Sequence, residues 1–130
     1  MKEILCIDDD ELDHYLSENA IHSVSEDIIV HKAYDGLQAL SCLREDKICP
    51  EIILLDVNMP RMNGHEFLKE FARTHDGRIP IIIMLTSSDQ KTDIDLSMQY
   101  TFVKDFLVKP LTEEHVKKIQ DIMESLAAGE

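Results

Sequence analysis

The sequence predicts an α/β fold in which one parallel sheet is covered by helices on both faces. Short apolar runs alternate along the chain with segments of helical spacing, and three of these runs are nearly continuous rather than alternating. Continuous runs of this length are typical of strands buried on both faces of a parallel sheet. A length of 130 residues corresponds to one domain. We therefore expect a single doubly wound layer with the order βαβαβαβαβα.

Five apolar runs are predicted to form the strands. In chain order they are Ile4–Ile7, Ile28–Val30, Ile52–Leu55, Ile79–Leu85 and Phe106–Val108. Glycine and proline residues lie between these runs, where turns are expected.

Between the strands, apolar residues recur at the three- and four-residue spacing of amphipathic helices. The fourth helix, over about residues 90–98, is the most weakly indicated because its apolar residues are sparse. Thr112, followed by two glutamates, is predicted to cap the last helix. The residues that mark the other helices are Leu12, Leu16, Ala20 and Val24 in the first, Ala39, Leu40 and Leu43 in the second, Phe67, Leu68, Phe71 and Ala72 in the third, and Val116, Ile119, Met123 and Leu126 in the last.

The composition argues against several classes of protein. There are 26 acidic and 13 basic side chains, so the formal net charge is −13, which disfavours direct binding to nucleic acid or to anionic membranes. The three cysteines are odd in number and lack a CxxC spacing, so reduced packing residues are expected. No run has the length of a signal peptide or a membrane span, which predicts a cytoplasmic protein.

Reactive side chains directly follow four of the five predicted strands. Asp8 and Asp9 follow the first strand and Asp56 follows the third, while Thr86 and Lys109 end the fourth and fifth. In open α/β sheets, ligands collect beyond the carboxyl ends of the strands. Asp56 precedes an extended segment rather than a helix, so a role as a helix cap does not explain it. We therefore predict that these five residues form the functional site.

The electrostatics of this arrangement indicate phosphoryl transfer. If the first and third strands are neighbours, Asp8, Asp9 and Asp56 crowd three carboxylates together, and their repulsion raises the pKa of at least one. A Mg²⁺ ion, which prefers oxygen ligands, would relieve that repulsion. Lys109 would add a positive charge, and the Thr86 hydroxyl could donate to a phosphoryl oxygen. An ionised aspartate acting as the nucleophile would need no general base.

Four segments carry a resemblance to a known family. The segments ILCIDDD, EIILLDVNMPRMNG, IPIIIMLTSS and DFLVKP occur in this order and at this spacing. With them the chain resembles, from end to end, the receiver domain of response regulators in two-component signalling, and most nearly the single-domain chemotaxis regulators. The resemblance implies a flavodoxin-like, five-stranded parallel sheet of order 2-1-3-4-5 flanked by five helices.

The resemblance also implies roles for the acidic residues. Asp56 would be the phosphoacceptor, attacking a phosphohistidine on a sensor histidine kinase or a histidine phosphotransfer protein. Asp8 and Asp9 would bind Mg²⁺ together with Asp56, with Asp9 as a direct ligand. Asn58 would supply its backbone carbonyl to the same ion.

The remaining site residues are assigned by the same resemblance. Lys109 would pair first with Asp56 and then with the phosphoryl group, and the Lys109–Pro110 peptide bond would be cis. Thr86 and Phe106 would form the switch: Thr86 moves towards the phosphoryl group, and the Phe106 ring fills the vacated space. This movement would repack the face made by the fourth helix, the fifth strand and the fifth helix.

The chain departs from the family pattern in three places. Ser87 and Ser88 follow Thr86, where the family often has alanine first. Phe106 lacks the hydroxyl of the tyrosine that is common at the switch position. Before the last strand, Met98, Phe102 and Val103 replace the usual small residues. We hypothesise that these bulky residues form a docking patch for a partner protein; full burial of Phe102 and Val103 would remove the support for this idea.

Two other function classes remain open at this point. In a small phosphatase of the haloacid dehalogenase kind, Asp8 and Asp10 would form the DxD motif and Thr86 and Lys109 would complete the site, but Asp56 would have no role. In a receiver-like binding module, no phosphorylation would occur.

The favoured interpretation is one stand-alone receiver domain over residues 1–130 with no output domain. Such a protein would be no enzyme beyond its own phosphorylation and dephosphorylation. It would act through contacts with an unidentified protein, or as a shuttle in a multistep phosphorelay.

Overall fold

Five strands alternate with five helices in the computed structural model, which describes residues 2–75, 79–87 and 90–128. The sheet is parallel throughout and has the order β2-β1-β3-β4-β5, so the predicted fold class and the strand order implied by the resemblance are confirmed. In the described part of the chain, no helix is long and apolar enough to cross a membrane. The elements are β1 (Glu3–Ile7), α1 (Glu11–Val24), β2 (Ile29–Ala33), α2 (Gly36–Arg44), β3 (Ile52–Leu55), α3 (Gly64–Thr74), β4 (Ile81–Thr86), α4 (Lys91–Met98), β5 (Val103–Val108) and α5 (Glu113–Ala128).

The apolar core lies in two layers, one on each face of the sheet. In β1, Leu5 and Ile7 pack on the side covered by α2 and α3, whereas Ile4 and Cys6 pack on the side covered by α1 and α5. All four residues of β3 are buried. Successive side chains of a strand point to opposite faces, so a strand covered on both faces must be apolar throughout. This is the reason that the central strands read as continuous apolar runs.

The first helix buries a different face from the one that its leucines indicated. Leu12 and Leu16 are exposed, while His14, Ser17 and Ile21 are buried. A four-residue repeat drifts around a helix by about 40° at each step, because one turn takes 3.6 residues. A stripe that runs over three such steps therefore cannot face the core along its whole length. The assignment of the helix was correct, but its first two leucines are not core residues.

The fifth strand begins at Val103, three residues before the predicted start. Lys104 and Asp105 interrupt the apolar pattern, which β5 tolerates because it is an edge strand paired only with β4 in the described sheet. At the other strand of that pair, β4 begins at Ile81 rather than Ile79, and Ile79 is exposed.

The hypothesis of an apolar docking patch before β5 loses part of its support. Val103 is buried in the core. Phe102 is half-buried, stacks on Tyr100 and makes an edge contact with the Phe71 ring of α3. Met98 is exposed, but it is alone among the three in being so. Phe102 and Val103 thus extend the core layer that contains residues of α2 and α3, whereas Met98 stays at the surface.

The helix α4 is present as predicted and is loosely attached. Its N-cap, Gln90, makes no side-chain capping hydrogen bond, and Ser97 is its one buried residue. A link to α3 comes from His65, whose Nε2 lies 2.9 Å from Asp93 Oδ1. Few apolar contacts therefore hold this helix against the rest of the fold.

The loop between β3 and α3 is fixed by the start of α2. Asp35 caps α2 through the Gln38 N–H at 2.8 Å, and its other oxygen accepts from Arg61 Nε at 2.6 Å. The Gly36 N–H donates to Met62 O at 3.0 Å. These hydrogen bonds fix the loop that follows Asp56 to the start of α2.

We predict that Gly64→Ala destabilises the protein by about 1–3 kcal/mol, the usual cost of overpacking. A Cβ at this position would lie 2.3 Å from Asp56 O and 2.9 Å from Val57 Cα, both of which are backbone atoms. Gly36→Ala is the matched control, because its Cβ would meet the flexible Met62 side chain. Urea unfolding of both variants measures the free energies, and equal losses would contradict this account.

Candidate functional site

The three predicted carboxylates converge at the carboxyl edge of the sheet. Asp8, Asp9 and Asp56 each offer an oxygen within 4.8 Å of the others. They do so because β1 and β3 are neighbours and Ile7 pairs with Leu55, which places the residues after both strands side by side. Asp8 and Asp56 are buried and Asp9 is exposed. Carboxylate oxygens in this arrangement suit a hard divalent cation.

The Asp56 carboxylate is oriented by a backbone and a side-chain donor. Its Oδ1 accepts from the Val57 N–H at 2.7 Å, and its Oδ2 accepts from Lys109 Nζ at 2.9 Å. The Asp56 N–H donates to Ile7 O at 3.0 Å, which continues the ladder between β1 and β3. The side chain is therefore held at the sheet edge and is not turned into the core.

Lys109 places one ammonium among three carboxylates. Its Nζ lies 2.9 Å from Asp56 Oδ2, the partner that the resemblance implied. It also lies 2.5 Å from Asp8 Oδ2 and 2.7 Å from Asp13 Oδ2, and neither of these pairs was predicted. Burial lowers the pKa of Lys109, but hydrogen bonds to Asp13, Asp8 and Asp56 outweigh it, so the pKa is raised above its ordinary value. The predicted cis Lys109–Pro110 peptide bond is confirmed.

Asp8 has a raised pKa, as predicted for one member of the cluster, but the main cause is different. Burial is the largest contribution; hydrogen bonds from Lys109 and the Asp10 N–H lower the pKa, and repulsion by Asp56 adds a smaller increase. Desolvation thus exceeds the like-charge repulsion that the sequence suggested.

Two residues of α1 reach the site without having been predicted. Asp13 contacts Lys109, and His14 is buried beneath Asp8. The His14 Nε2–H donates to Asp8 O at 2.8 Å and lies 3.2 Å from Ala33 O, so it joins the ends of β1 and β2. Because a carbonyl can only accept, Nε2 carries the hydrogen. One feature of the sequence could have indicated Asp13: if Asp10 caps α1, Asp13 must lie in the first turn of that helix, close to the end of β1.

The two predicted switch residues lie on different strands beyond the acidic cluster: Thr86 on β4, next to β3, and Phe106 on β5, one strand further. Thr86 ends β4 and is fully buried, and its carbonyl accepts from the Lys109 N–H at 2.9 Å. Phe106 is half-buried and packs against the core layer of α2 and α3. Asn58 is exposed in the loop after β3. The structure places these residues at or near the site, and their roles remain predictions.

We predict that Asp8→Asn stabilises the metal-free protein at about pH 7, because the ionised carboxylate is disfavoured by burial there. A raised pKa in the folded state means that stability falls as the pH rises from 3.8, the ordinary value, through the raised value. The stabilisation by Asp8→Asn should therefore shrink as the pH is lowered. Thermal unfolding in excess chelator measures it, with exposed Asp121→Asn as the control. A lower melting temperature for Asp8→Asn at neutral pH would contradict the account.

Comparisons with known proteins agree with this geometry. The response regulator receiver domain model matches residues 4–121. The transcriptional regulatory protein CpxR of Klebsiella pneumoniae is 36% identical over 124 residues, which cover 95% of this chain and 50% of CpxR. A crystal structure of a two-component response regulator from Legionella pneumophila has 34% identity and a TM-score of 0.85, covering 96% of this chain and 99% of that one.

The Mn(2+)-bound form of response regulator Rcp1 is also similar, with 28% identity and a TM-score of 0.76 over 94% of this chain and 91% of that chain. The chain spans only part of its curated relatives, from 29% to 61% of their length among three of them. The family match, the fold and the acidic site agree with one another. The chain belongs to the response regulator receiver domain family.

Proposed function

We propose that this protein accepts a phosphoryl group on Asp56 and uses it to switch a protein-binding face. The supporting observation is the position of the Asp56 carboxylate, which bonds to Lys109 through Oδ2 and lies in one cluster with Asp8 and Asp9. Receiver domains are phosphorylated by histidine kinases or phosphotransfer proteins and are generally signalling modules rather than enzymes. The donor proposed for this chain is a phosphohistidine on such a partner.

The transfer follows from the charges in the site. An ionised Asp56 oxygen attacks the phosphorus, and the P–N bond of the phosphohistidine breaks with its electron pair left on the imidazole nitrogen. No base is required, because the nucleophile has no proton to lose. The Lys109 ammonium is held next to Asp56 and would bond to a phosphoryl oxygen as charge accumulates there. Positioning and charge neutralisation therefore supply the catalysis.

Receiver domains bind Mg²⁺ at an acidic pocket, and the donor set here fits that ion. We propose Asp8, Asp9, Asp56 and the Asn58 carbonyl as its ligands. When bound, magnesium would neutralise the carboxylates and stabilise negative charge on the transferring group. The raised pKa of Asp8 supports the proposal, because burial makes an uncompensated carboxylate costly.

The geometry does not favour the phosphatase alternative. That mechanism requires Asp10 to act beside Asp8, but Asp10 Oδ1 caps α1 by accepting from the Leu12 N–H at 2.8 Å. Asp56, which would have no role there, instead lies at the centre of the site. A binding module without phosphorylation would have no need for the paired Asp56 and Lys109 that are present.

We predict that acetyl phosphate and Mg²⁺ give one phosphoryl adduct on the wild type and none on Asp56→Asn, because the amide is not a nucleophile. Intact mass spectrometry measures the adduct. Exposed Asp27→Asn is the control and should react as the wild type does. An adduct of equal yield in excess chelator would contradict the role of the metal, and an adduct on Asp56→Asn would contradict the acceptor.

The output proposed for the phosphoryl group is a movement of α4 and β5. Thr86 ends the strand next to β5, and its hydroxyl would be drawn to a phosphoryl oxygen. The half-buried Phe106 ring lies on the neighbouring strand, where Met84 and Phe106 are in register. The loosely attached α4 would follow. This face would bind a downstream protein or pass the phosphoryl group onward.

We predict that Thr86→Ala still binds beryllofluoride with Mg²⁺ but transmits little of the change to α4 and β5, because the switch hydroxyl is missing. Amide chemical-shift changes in NMR spectra measure the response. Thr92→Ala, at an exposed position of α4, makes the same substitution and should leave the response intact. Full shift changes in Thr86→Ala would contradict the proposed switch.

A further inference from the structure

Lys109 has three N–H donors, and the structure gives each of them a carboxylate. The partners are Asp8 at the end of β1, Asp56 at the end of β3 and Asp13 in the first turn of α1, at 2.5, 2.9 and 2.7 Å. A lysine ammonium has no further donor to offer. The ammonium is therefore fixed from three directions by three separate elements.

Asp13 stands apart from the carboxylates that can hold a metal. Among the described residues, the group with oxygens close enough to share an ion consists of Asp8, Asp9 and Asp56. Asp13 instead contacts Lys109, the positively charged residue of the site. Removing Asp13 should consequently disturb the lysine far more than the metal.

The position of Asp13 is itself well defined. Asp10 caps α1, and its Oδ1 accepts from the N–H groups of Leu12 at 2.8 Å and Asp13 at 3.4 Å. A carboxylate in the first turn of a helix is favoured by the helix dipole. The Asp13 side chain is 28% exposed, compared with 13% for the Lys109 side chain. Asp13 is thus the more exposed partner of this pair.

We propose that Asp13 is a positioning residue for phosphoryl transfer, which keeps the Lys109 ammonium directed at Asp56. When Asp56 is phosphorylated, its carboxylate becomes a neutral carbonyl joined to an acyl phosphate, and the ion pair between Asp56 and Lys109 is lost. Asp13 and Asp8 then retain two N–H groups, and the third remains aimed at the phosphoryl oxygen. Without Asp13, the ammonium has a free donor and can turn towards water. This role rests on the proposed phosphorylation of Asp56.

The test compares Asp13→Ala with Asp13→Asn, which keeps an oxygen acceptor but loses the charge. We expect the rate of adduct formation from acetyl phosphate to fall about tenfold in Asp13→Ala, as for a modest misplacement of a catalytic group, and to stay within about twofold of wild type in Asp13→Asn. Any loss of Mg²⁺ affinity should be equal in the two variants, because each removes the same charge and Asp13 is not a ligand, so the rates are compared at saturating Mg²⁺. Glu11→Ala is the control, since it removes an acidic residue from the same turn without touching Lys109.

A second measurement does not depend on phosphorylation. In NMR spectra of the ¹⁵N-labelled protein, the Lys109 ammonium should be visible through slow exchange with water in the wild type, Asp13→Asn and Glu11→Ala, and lost in Asp13→Ala. If the wild type forms no adduct on Asp56, the proposed function fails and this signal alone decides whether Asp13 holds Lys109. A preserved ammonium signal in Asp13→Ala would overturn the inference, as would an adduct rate equal to or above that of the wild type. Thermal unfolding of each variant verifies that it is folded.

Discussion

The pairing of one buried ammonium with carboxylates from separate elements is the interaction on which the site depends. Buried charges are costly unless they are paired and hydrogen-bonded. Asp8 and Asp56 are both buried. Lys109, which directly follows β5, bonds to each of them. The lysine thus connects the centre of the sheet with its edge. Any group that changes the charge on Asp56 must also change this connection.

The residues around the site support it mainly through contacts with backbone atoms. The His14 ring joins the carbonyls of Asp8 and Ala33, and Asp35 joins the start of α2 to the loop that follows β3. Gly64 allows its helix to approach within contact of the Asp56 backbone. These supports come from the N-terminal ends of α1, α2 and α3, and all of them act on the carboxyl edge of the sheet.

The aspartates around the site have specific structural roles beyond their contribution to the net charge. A surface of net charge −13 keeps a small domain soluble, but the site draws on acids for a different purpose. Asp10 and Asp35 cap helices, Asp13 orients a lysine, and Asp8, Asp9 and Asp56 form a potential cation site. One residue type serves three physical functions, and the local position of each residue decides which one it serves.

Much of the site could be predicted from the sequence because its residues directly follow buried strands. The continuous apolar run Ile52–Leu55 requires cover on both faces, and the residue after it must then stand at the sheet edge. Asp56, Asp8 and Lys109 were found by that reasoning. The family resemblance added the strand order and the cis peptide, which no local pattern determines.

The tertiary structure decided what depends on the packing of one element against another. Asp13 and His14 lie on a helix whose buried face was misread from its leucines, because the docking of α1 and not the spacing of its apolar residues chooses that face. Val103 entered the core because the edge strand β5 starts three residues before the apolar run that predicted it. Burial rather than repulsion raised the pKa of Asp8, since the depth of a carboxylate in the sheet edge is a property of the folded chain alone. The sequence by itself determined the fold and the chemistry at the strand ends, whereas only the folded structure determined how deep each charge lies and which neighbours hold it.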